Sequence, residues 1–354
     1  MLGISAYLTT ESMKKQEFYF KKVSEKGFTS IFTSLHIPEA NPAVYKERLQ
    51  ELGQLAQKYG MELMADISPK SLQYLGYTWD NVEEILHWGV TGLRIDYGIE
   101  DEKIAQLSKK MKVALNASTL TEEGLEKLKH AGLNFSNTEA WHNFYPRPET
   151  GLGLENVQER NKWLQEKGLA TMAFIPGDEK LRGPLFKGLP TLEDHRCASP
   201  FAAYMDLKEI GFVDKILVGD VELSDASLEQ FSAMQEGFFL LRAKAYADQE
   251  LTDVLTTIQT NRFDEARDCI RSMESRQYGL MGHRSAKPFN TIDREIGSIT
   301  IDNEKYGRYQ GEIQITKRSL KSDEKVNVIG KVIEDDIPLL PYIKGGRKFK
   351  IRWV

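Results

Sequence analysis

The sequence predicts a (β/α)₈ barrel followed by a small antiparallel β domain, and two observations support this fold class. The first is a repeated unit in which a helical stretch ends in glycine and a run rich in Val, Ile, Leu, Met and Phe follows. The closing glycines, which suit the left-handed residue that ends many helices, are Gly27, Gly60, Gly89, Gly132, Gly168 and Gly211. The second is a change after about residue 237 to short alternating runs such as GSITIDNEKY and YQGEIQITKR.

The repeated unit predicts eight strands in the first part of the chain. They are LGISAYLTT, TSIFTSLHI, MELMADIS, TGLRIDYG, MKVALNAS, LNFSNTEA, LATMAFIP and VDKILVGDVEL. Such apolar runs are typical of parallel strands that are buried on both faces. A doubly wound open sheet is the alternative, but such sheets usually contain fewer units, and no GxGxxG or GxxxxGKS/T motif follows any of these runs.

We expect a barrel over residues 1–237, a helical connection over 238–277 and the β domain over 278–354. The composition of the 354 residues, 41% hydrophobic and 28% charged, is ordinary for a globular chain. No apolar run is long enough for a membrane span, and the first residues do not resemble a secretory leader. Only two cysteines occur, so a disulfide framework and a cysteine zinc site are excluded. These features predict a cytoplasmic protein.

A barrel of this class carries its chemistry at the carboxyl ends of its strands. The predicted strand ends carry carboxylates and amides, and a histidine follows the second strand: Asp66, Asp96, Asn116, Asn137, Glu139, Asp220, Glu222 and His36. Together with neighbouring aromatic residues, this set suits a polyhydroxylated substrate. Two carboxylates that flank an acetal can hydrolyse a glycoside, one as the acid and the other as the base or nucleophile.

Each of these residues also has a purely structural interpretation. Asp66, Asp96 and Asp220 could each pair with a buried arginine, as Arg94 could with Asp96, or cap the next helix. His36 alone is more typical of a buried structural histidine. His142 follows Glu139 by three residues, but in a strand-to-loop segment this spacing does not predict a metal pair.

Two loops beside the predicted strand ends are unusual. The loop after the sixth strand, HNFYPRPETGLG, presents Arg147 between two prolines, which suits binding of a carboxylate or phosphate. The long loop after the seventh strand ends in His195 and Arg196 and carries further cations, including Arg182. Long structured loops over a barrel mouth are usually lids or specificity elements. In the second domain, Arg276 begins a basic, turn-rich stretch that either contacts an anion or is solvated.

Three segments, HNFYPRPETGL, IPGD…LRGPL…GLPTLEDHR and QYGLMGHRSAKPFNTIDREIG, resemble a bacterial family of 6-phospho-N-acetylmuramidases, and the resemblance covers essentially the whole chain. It implies a TIM barrel joined to a cyclophilin-like β domain. It also implies hydrolysis of the β-1,4 bond of 6-phospho-N-acetylmuramyl-N-acetylglucosamine to N-acetylmuramic acid 6-phosphate and N-acetylglucosamine. The implied setting is peptidoglycan recycling in the cytoplasm.

For this reaction we expect the catalytic carboxylates to come from Asp96, Glu139, Asp220 and Glu222. The substrate carries a phosphate and a lactyl carboxylate, so the expected anion-binding residues are Arg147, His195, Arg196 and Arg276. Further substrate contacts are expected from His36, Asp66, Asn116, Asn137, His142, Asn143 and Tyr145. No cofactor or metal is expected. The sequence leaves open whether the reaction retains or inverts the anomeric configuration, and whether the chain forms a homo-oligomer.

Three other functions compete with this one. A phosphosugar aldolase, lyase or epimerase fits the barrel, but a Schiff-base lysine is missing from the strand ends, because Lys112 and Lys215 stand at strand starts. A metal-dependent hydrolase would use His36, Asp66, His142 and Asp220 but lacks closely spaced histidines. A non-catalytic carbohydrate-binding protein is the third. Nucleic-acid binding is disfavoured, since residues 281–354 hold only 15 Lys and Arg against 10 Asp and Glu.

Overall fold

A computed structural model describes residues 1–9, 12–35, 42–95, 98–247, 255–277 and 286–354, apart from the side chains of Pro42, Arg276 and Gln277. The chain forms two compact units, residues 1–228 and 229–354.

The first unit is a closed barrel of eight parallel strands in chain order, which confirms the predicted fold class. The strands are β1 (Leu2–Ser5), β2 (Ser30–Ser34), β3 (Glu62–Ile67), β4 (Gly92–Ile95), β5 (Lys112–Asn116), β6 (Thr138–Trp141), β7 (Ala170–Ile175) and β8 (Lys215–Val218). Strand β1 pairs with both β2 and β8, so the sheet has no open edge.

Helices connect these strands, and local sequence sets their ends. Thr121 accepts a hydrogen bond from the Gly124 N–H at the start of the fifth helix, and Ser68 forms a reciprocal capping box with Ser71 at the third. The helices are α1 (Glu17–Glu25), α2 (Pro42–Lys58), α3 (Pro69–Leu75), α4 (Asp101–Ser108), α5 (Glu122–His130), α6 (Leu154–Glu166), α7 (Pro200–Glu209) and α8 (Asp225–Gln235). Shorter 3₁₀ turns cover Met13–Gln16, Val82–Trp88, Phe135–Asn137 and Glu193–His195.

The strand register sorts the inward side chains of the barrel into three layers. The middle layer is an apolar cluster that includes Phe32, Met64, Ala114, Trp141, Met172 and Leu217. Because side chains alternate along a strand, residues two positions before and after these also face inward. The layer at the amino ends therefore holds Glu62, Lys112, Glu139 and Lys215, and the layer at the carboxyl ends holds Ser34, Asp66, Arg94, Asn116 and Asn143.

The amino-end layer is a buried ion-pair network. Lys215 Nζ lies 2.6 Å from Glu62 Oε1 and 2.7 Å from Glu139 Oε2. Lys112 Nζ contacts both carboxylates as well, at 3.3 Å from Glu139 Oε1. Trp141 Nε1 donates to Glu139 Oε2 at 2.7 Å. Each carboxylate thus has cationic partners, and this network fills the bottom of the barrel.

The second unit is a seven-stranded sheet. Its strands are β9 (Phe238–Ala245), β10 (Gln259–Thr260), β11 (Cys269–Arg271), β12 (Ser298–Asp302), β13 (Ile313–Thr316), β14 (Val326–Val332) and β15 (Lys348–Trp353). They lie in the order β10-β15-β9-β14-β12-β13-β11. Strands β9 and β15 are parallel and the other pairs are antiparallel. The edge strands approach each other, since Arg262 N donates to Arg271 O at 3.0 Å, so the sheet is nearly closed.

The expected helical connection over residues 238–277 is wrong for most of its described part. Strands β9, β10 and β11 fall inside it, and only α9 (Met273–Gln277) is an α-helix among the described residues. Strand β9 lies between β14 and β15, and most of it is buried, so its sequence begins with the continuous apolar run FFLL. Such a run cannot be distinguished from a buried helix by periodicity alone. Two further 3₁₀ segments cover Glu304–Tyr309 and Glu334–Tyr342.

Candidate active site

A buried charged pair lies at the carboxyl ends of β3 and β4. Arg94 Nη1 donates to Asp66 Oδ1 at 2.8 Å, and the strand register places the two residues opposite each other. Arg94 Nη2 also donates to Asn143 Oδ1, which follows β6. Arg94 is 3% and Asp66 7% exposed. The predicted residues Asp66 and Asn143 are therefore brought together, through an arginine, at the mouth of the barrel.

Two further predicted residues, Asn116 and His142, stabilise the neighbouring loops. Asn116 ends β5, and its Oδ1 accepts the Ser118 N–H at 2.9 Å. The His142 ring is buried between Asn161, at 2.8 Å from Nε2, and Ser118, at 3.4 Å from Nδ1. Burial lowers the pKa of His142, which favours a neutral ring. His142 therefore joins the loop after β6 to helix α6.

Aromatic rings form one wall of the mouth. Phe144 packs edge-to-face on Phe174 at 5.1 Å between ring centroids, and Phe32 packs on Phe174 at 5.2 Å. Tyr7, just beyond β1, joins this cluster and donates its hydroxyl to Gly219 O at 2.5 Å. Burial raises the pKa of Tyr7 to about 12, although the charge of Arg182 acts in the opposite direction. Tyr7, Phe32 and Phe174 are buried, whereas Phe144 is half-buried, so the Phe144 ring is the one that can offer apolar surface to a sugar beside the polar layer.

Asp220 organises the long loop after β7. Its carboxylate accepts three backbone N–H groups, from Gly177 at 2.9 Å, Arg182 at 2.9 Å and Leu189 at 3.0 Å. Asp220 is fully buried, and this burial raises the pKa of its carboxyl, while the three N–H donors lower it. The contacts assign Asp220 a structural role in shaping the loop.

A second carboxylate joins the loops that follow β6 and β7. Glu193 accepts the backbone N–H groups of Glu149 at 2.8 Å and Gly151 at 2.7 Å. It also pairs with Arg196 at 2.6 Å, and this guanidinium is the main reason that the pKa of Glu193 is lowered to about 2. Arg196 donates further to the carbonyl oxygens of Gly188 at 3.2 Å and Arg147 at 3.3 Å.

Two of the residues expected to bind an anion are already occupied. The Arg196 guanidinium is committed to Glu193 and to carbonyl oxygens. His195 is 2% exposed, and its Nε2 lies 3.1 Å from Asp206 Oδ2 on helix α7. The structure therefore does not support either residue as an anion-binding group. By contrast, Arg147 is exposed, and its guanidinium has no ion-pair partner in the described part of the chain.

The expectation that Glu139 and Asn137 stand at a carboxyl strand end is wrong. Asn134 caps the 3₁₀ turn Phe135–Asn137, so β6 begins only at Thr138. Glu139 therefore lies near the start of its strand, in the ion-pair network at the bottom of the barrel. Asn137 donates its Nδ2 to Ser108 O at 3.0 Å, also before the strand. Neither side chain belongs to the mouth.

The remaining predicted residues have mixed outcomes. Glu222 follows β8 and is half-buried, and its backbone bridges to Lys180. Tyr145 is likewise half-buried and donates its N–H to Pro190 O at 3.0 Å. Three predicted positions lie outside the described residues or side chains: His36, Asp96 and Arg276.

The predicted site residues include neither Arg94 nor a second arginine at the mouth, Arg182. Its guanidinium carbon lies 3.6 Å from the centroid of the Tyr7 ring and 5.9 Å from that of Phe144. In the sequence it is one of several cations in the loop after β7, and only the folded chain places it on the aromatic wall.

The described residues include no group of three or more His, Cys, Asp or Glu side chains arranged to hold a metal ion. Among them there is also no helix with the length and apolar character needed to cross a membrane.

Comparison with known proteins supports a single family. Residues 2–233 match the model described as 6-phospho-N-acetylmuramidase, N-terminal, and residues 239–352 match its C-terminal counterpart. A search of curated proteins found no match.

Two solved structures are similar over the whole chain. A conserved Enterococcus faecalis protein of unknown function is 44% identical, with a TM-score of 0.91, over 100% of this chain and 96% of that one. An uncharacterised B. cereus protein is 25% identical, with a TM-score of 0.76, over 99% of each chain. With both of its units matched by the family models, the chain belongs to the 6-phospho-N-acetylmuramidase family of glycoside hydrolases.

Proposed function

We propose that this protein hydrolyses the β-1,4 bond of 6-phospho-N-acetylmuramyl-N-acetylglucosamine, releasing N-acetylmuramic acid 6-phosphate and N-acetylglucosamine. The observation that carries this proposal is the barrel mouth, where the polar trio Asp66, Arg94 and Asn143 lies next to Phe144, a half-buried ring that packs on Phe174. Amide and carboxylate groups bind sugar hydroxyls, and aromatic faces pack on the C–H surface of a sugar. The family match supplies the substrate class.

Most glycoside hydrolases use two carboxyl groups that flank the scissile bond. We propose Asp96 as one of them, because it follows the mouth residue Arg94 by two positions in the sequence. Of the other predicted carboxylates, Glu139 is excluded from the mouth by its position in the bottom network. The second group is proposed to be Glu222 or Asp220, both beyond β8. Asp220 is the weaker of these two candidates, because three backbone N–H groups already occupy its carboxylate.

The proposed reaction also suggests a setting. The family resemblance implies a disaccharide that a phosphotransferase importer phosphorylates during uptake. We therefore propose that the enzyme acts in the cytoplasm, in peptidoglycan recycling, downstream of such an importer.

The first experiment is a product assay on the full chain. The purified protein is incubated, with and without EDTA, with the phosphorylated disaccharide and with its unphosphorylated form, and products are followed by mass spectrometry. We expect cleavage of the phosphorylated disaccharide alone, unaffected by EDTA. Loss of activity in EDTA would favour a metal-dependent hydrolase, and the absence of cleavage in either case would remove the proposed substrate.

Variants then test the residue assignment. We expect Asp96→Asn to lower kcat by about 10²- to 10⁴-fold, the range that a positioned acid or base contributes. Glu222→Gln and Asp220→Asn identify the second carboxylate by the same criterion. Glu179→Gln is the matched control, because Glu179 is an exposed acid in the neighbouring loop after β7. If Asp96→Asn, Glu222→Gln and Asp220→Asn all kept wild-type kcat, the paired-carboxylate mechanism at these positions would be wrong.

A further inference from the structure

The cations near the barrel mouth differ in whether a carboxylate already holds them. Arg94 pairs with Asp66, and Arg196 pairs with Glu193. Arg182 is different, because no carboxylate in the described part of the chain lies within ion-pair distance of its guanidinium. A half-buried arginine without a counter-ion is costly to desolvate, so its position calls for an explanation.

The Arg182 guanidinium is held by aromatic faces instead. It lies 3.6 Å from the centroid of Tyr7 and 5.9 Å from that of Phe144. Both rings pack in or against the apolar cluster that fills the barrel, so the guanidinium lies at the carboxyl end of the strands. Stacking on a ring face leaves the N–H groups at the edge of the guanidinium plane available for a further partner.

Two contacts fix this arrangement before any ligand binds. The backbone N–H of Arg182 donates to Asp220 at 2.9 Å, which sets the position of the loop. The Tyr7 hydroxyl donates to Gly219 O at 2.5 Å, which sets the orientation of the Tyr7 ring beneath the Arg182 guanidinium. A binding group that is preorganised in this way loses little entropy when a ligand arrives.

We propose that Arg182 binds an oxyanion of the substrate and thereby selects an anionic sugar. This inference rests on the proposed function and deepens it. Two groups of that substrate share the required chemistry, the 6-phosphate and the lactyl carboxylate, and a planar guanidinium can bind either in a bidentate manner. The exposed Arg147 lacks a comparable aromatic support among the described contacts, so Arg182 is the better candidate for the principal anion contact.

Calorimetric titration of three monosaccharides tests this proposal without requiring turnover. The ligands are N-acetylmuramic acid 6-phosphate, N-acetylmuramic acid and N-acetylglucosamine 6-phosphate. The proteins are the full-length wild type, Arg182→Ala, Arg182→Lys and the control Lys187→Ala, which removes an exposed cation from the same loop. We expect Arg182→Ala to weaken binding of N-acetylmuramic acid 6-phosphate by about 10- to 100-fold, the effect of a charge-assisted hydrogen bond. Lys187→Ala should leave the affinity unchanged.

The three ligands identify which oxyanion is bound. If Arg182 pairs with phosphate, Arg182→Ala weakens binding of both phosphorylated sugars and leaves N-acetylmuramic acid unaffected. If it pairs with the lactyl carboxylate, both lactyl sugars bind more weakly and N-acetylglucosamine 6-phosphate is unaffected. Arg182→Lys keeps the charge without the planar fork, so we expect an intermediate loss. An equal change for all three ligands, or no change for any, would overturn the proposal.

Thermal unfolding of each variant shows whether it is folded, and Arg182→Lys provides the comparison if Arg182→Ala does not fold. Turnover of the phosphorylated disaccharide separates this proposal from the proposed function. Binding that depends on Arg182 in a protein that cleaves nothing would sustain the anion site and remove the hydrolase. Cleavage by the wild type together with unchanged affinities in Arg182→Ala would sustain the hydrolase and remove the anion site. A wild type that binds none of the three ligands would also overturn the anion site.

Discussion

Asp220 Oδ1 accepts the backbone N–H of Arg182 at 2.9 Å, while the side chain of Arg182 lies over the ring of Tyr7. A carboxylate beyond the last barrel strand therefore fixes the loop that presents this arginine. The same carboxylate accepts the N–H groups of Gly177, at the start of the loop, and of Leu189, further along it. Asp220 is thus a positioning residue for Arg182, whichever carboxylates perform the chemistry.

Asp220→Asn should weaken substrate binding through this loop. The amide NH₂ would face an N–H donor that the carboxylate now satisfies, so we expect a loss of stability of about 1–3 kcal/mol. Because Arg182 is displaced, KM for the phosphorylated disaccharide should rise by about 10-fold. Steady-state kinetics of Asp220→Asn, Arg182→Ala and the double variant on this substrate measures the effect, with Glu179→Gln as the control. Losses that simply add in the double variant would contradict a role of Asp220 in positioning Arg182.

Glu139→Gln should reduce stability and leave catalysis intact. Glu139 lies in the bottom network beside Lys112 and Lys215, so its neutralisation leaves buried cations with fewer counter-ions. We expect a loss of about 1–3 kcal/mol in the free energy of unfolding, while the folded variant keeps kcat near the wild-type value. Urea denaturation and a product assay measure the two effects. Loss of kcat in a variant that is as stable as the wild type would restore Glu139 as a catalytic candidate.

The position of Glu139 illustrates where sequence reasoning succeeds and fails for this chain. Apolar runs, six of which follow a closing glycine, located all eight barrel strands, because a strand buried on both faces must be apolar. A polar residue in such a strand, however, can face inward at either end of the barrel. Only the exact start of the strand decides at which end of the barrel the residue lies. The 3₁₀ turn Phe135–Asn137 delays the start of β6, so Glu139 lies at the amino end.

Arg182 illustrates a different limit. Its partners Tyr7, Phe144 and Asp220 follow three other strands, so no local spacing brings them together in the sequence. The loops of a barrel meet only after the barrel closes. The sequence therefore predicted a basic loop at the mouth, but it did not distinguish Arg182 from Arg196, whose partner Glu193 lies one helical turn away.

Arg94→Met should be among the most destabilising substitutions in the barrel mouth. It would leave the carboxylate of Asp66 buried beside an apolar side chain, which typically costs about 3–5 kcal/mol. The double variant Asp66→Asn with Arg94→Met should recover much of this loss, because the buried charge is removed. Lys127→Met is the control, since its pair with Glu123 is exposed and should contribute little to the free energy of unfolding. Chemical denaturation measures all three. A similar loss in the single and double variants would argue against the buried ion pair.

Asp302 in the second unit should make stability depend on pH. Burial is the main reason that the pKa of Asp302 is raised from 3.8 to about 7, and the nearby charges of Glu312 and Asp323 add to it. Between pH 3.8 and about 7 the folded state binds the Asp302 proton more tightly than the unfolded state does. The free energy of unfolding therefore falls as pH rises through this interval.

Asp302→Asn imitates the protonated side chain and should remove this dependence. At pH 8 we expect the variant to be more stable than the wild type by more than about 1 kcal/mol, whereas at pH 4 the two should differ little. Thermal unfolding across this range measures the difference. A variant that is less stable than the wild type at pH 8 would show that the charged carboxylate is favourable in the fold.

Glu193 should have the opposite pH dependence. The Arg196 guanidinium and two backbone N–H groups lower the pKa of Glu193 from 4.5 to about 2 in the folded chain. Because the unfolded state binds the proton more tightly in this interval, the stability that Glu193 contributes is fully present above pH 4.5 and is lost as pH falls towards 2. Glu193→Gln should therefore be less stable than the wild type at pH 7, and the difference should shrink on acidification. Asp194→Asn, at the exposed neighbouring acid, is the control and should follow the wild type.

Glu193 also joins the loops after β6 and β7, so its loss should loosen them. Protease cleavage within these loops at pH 7 should therefore be faster in Glu193→Gln than in Asp194→Asn. Equal cleavage rates would show that other contacts hold the loops together.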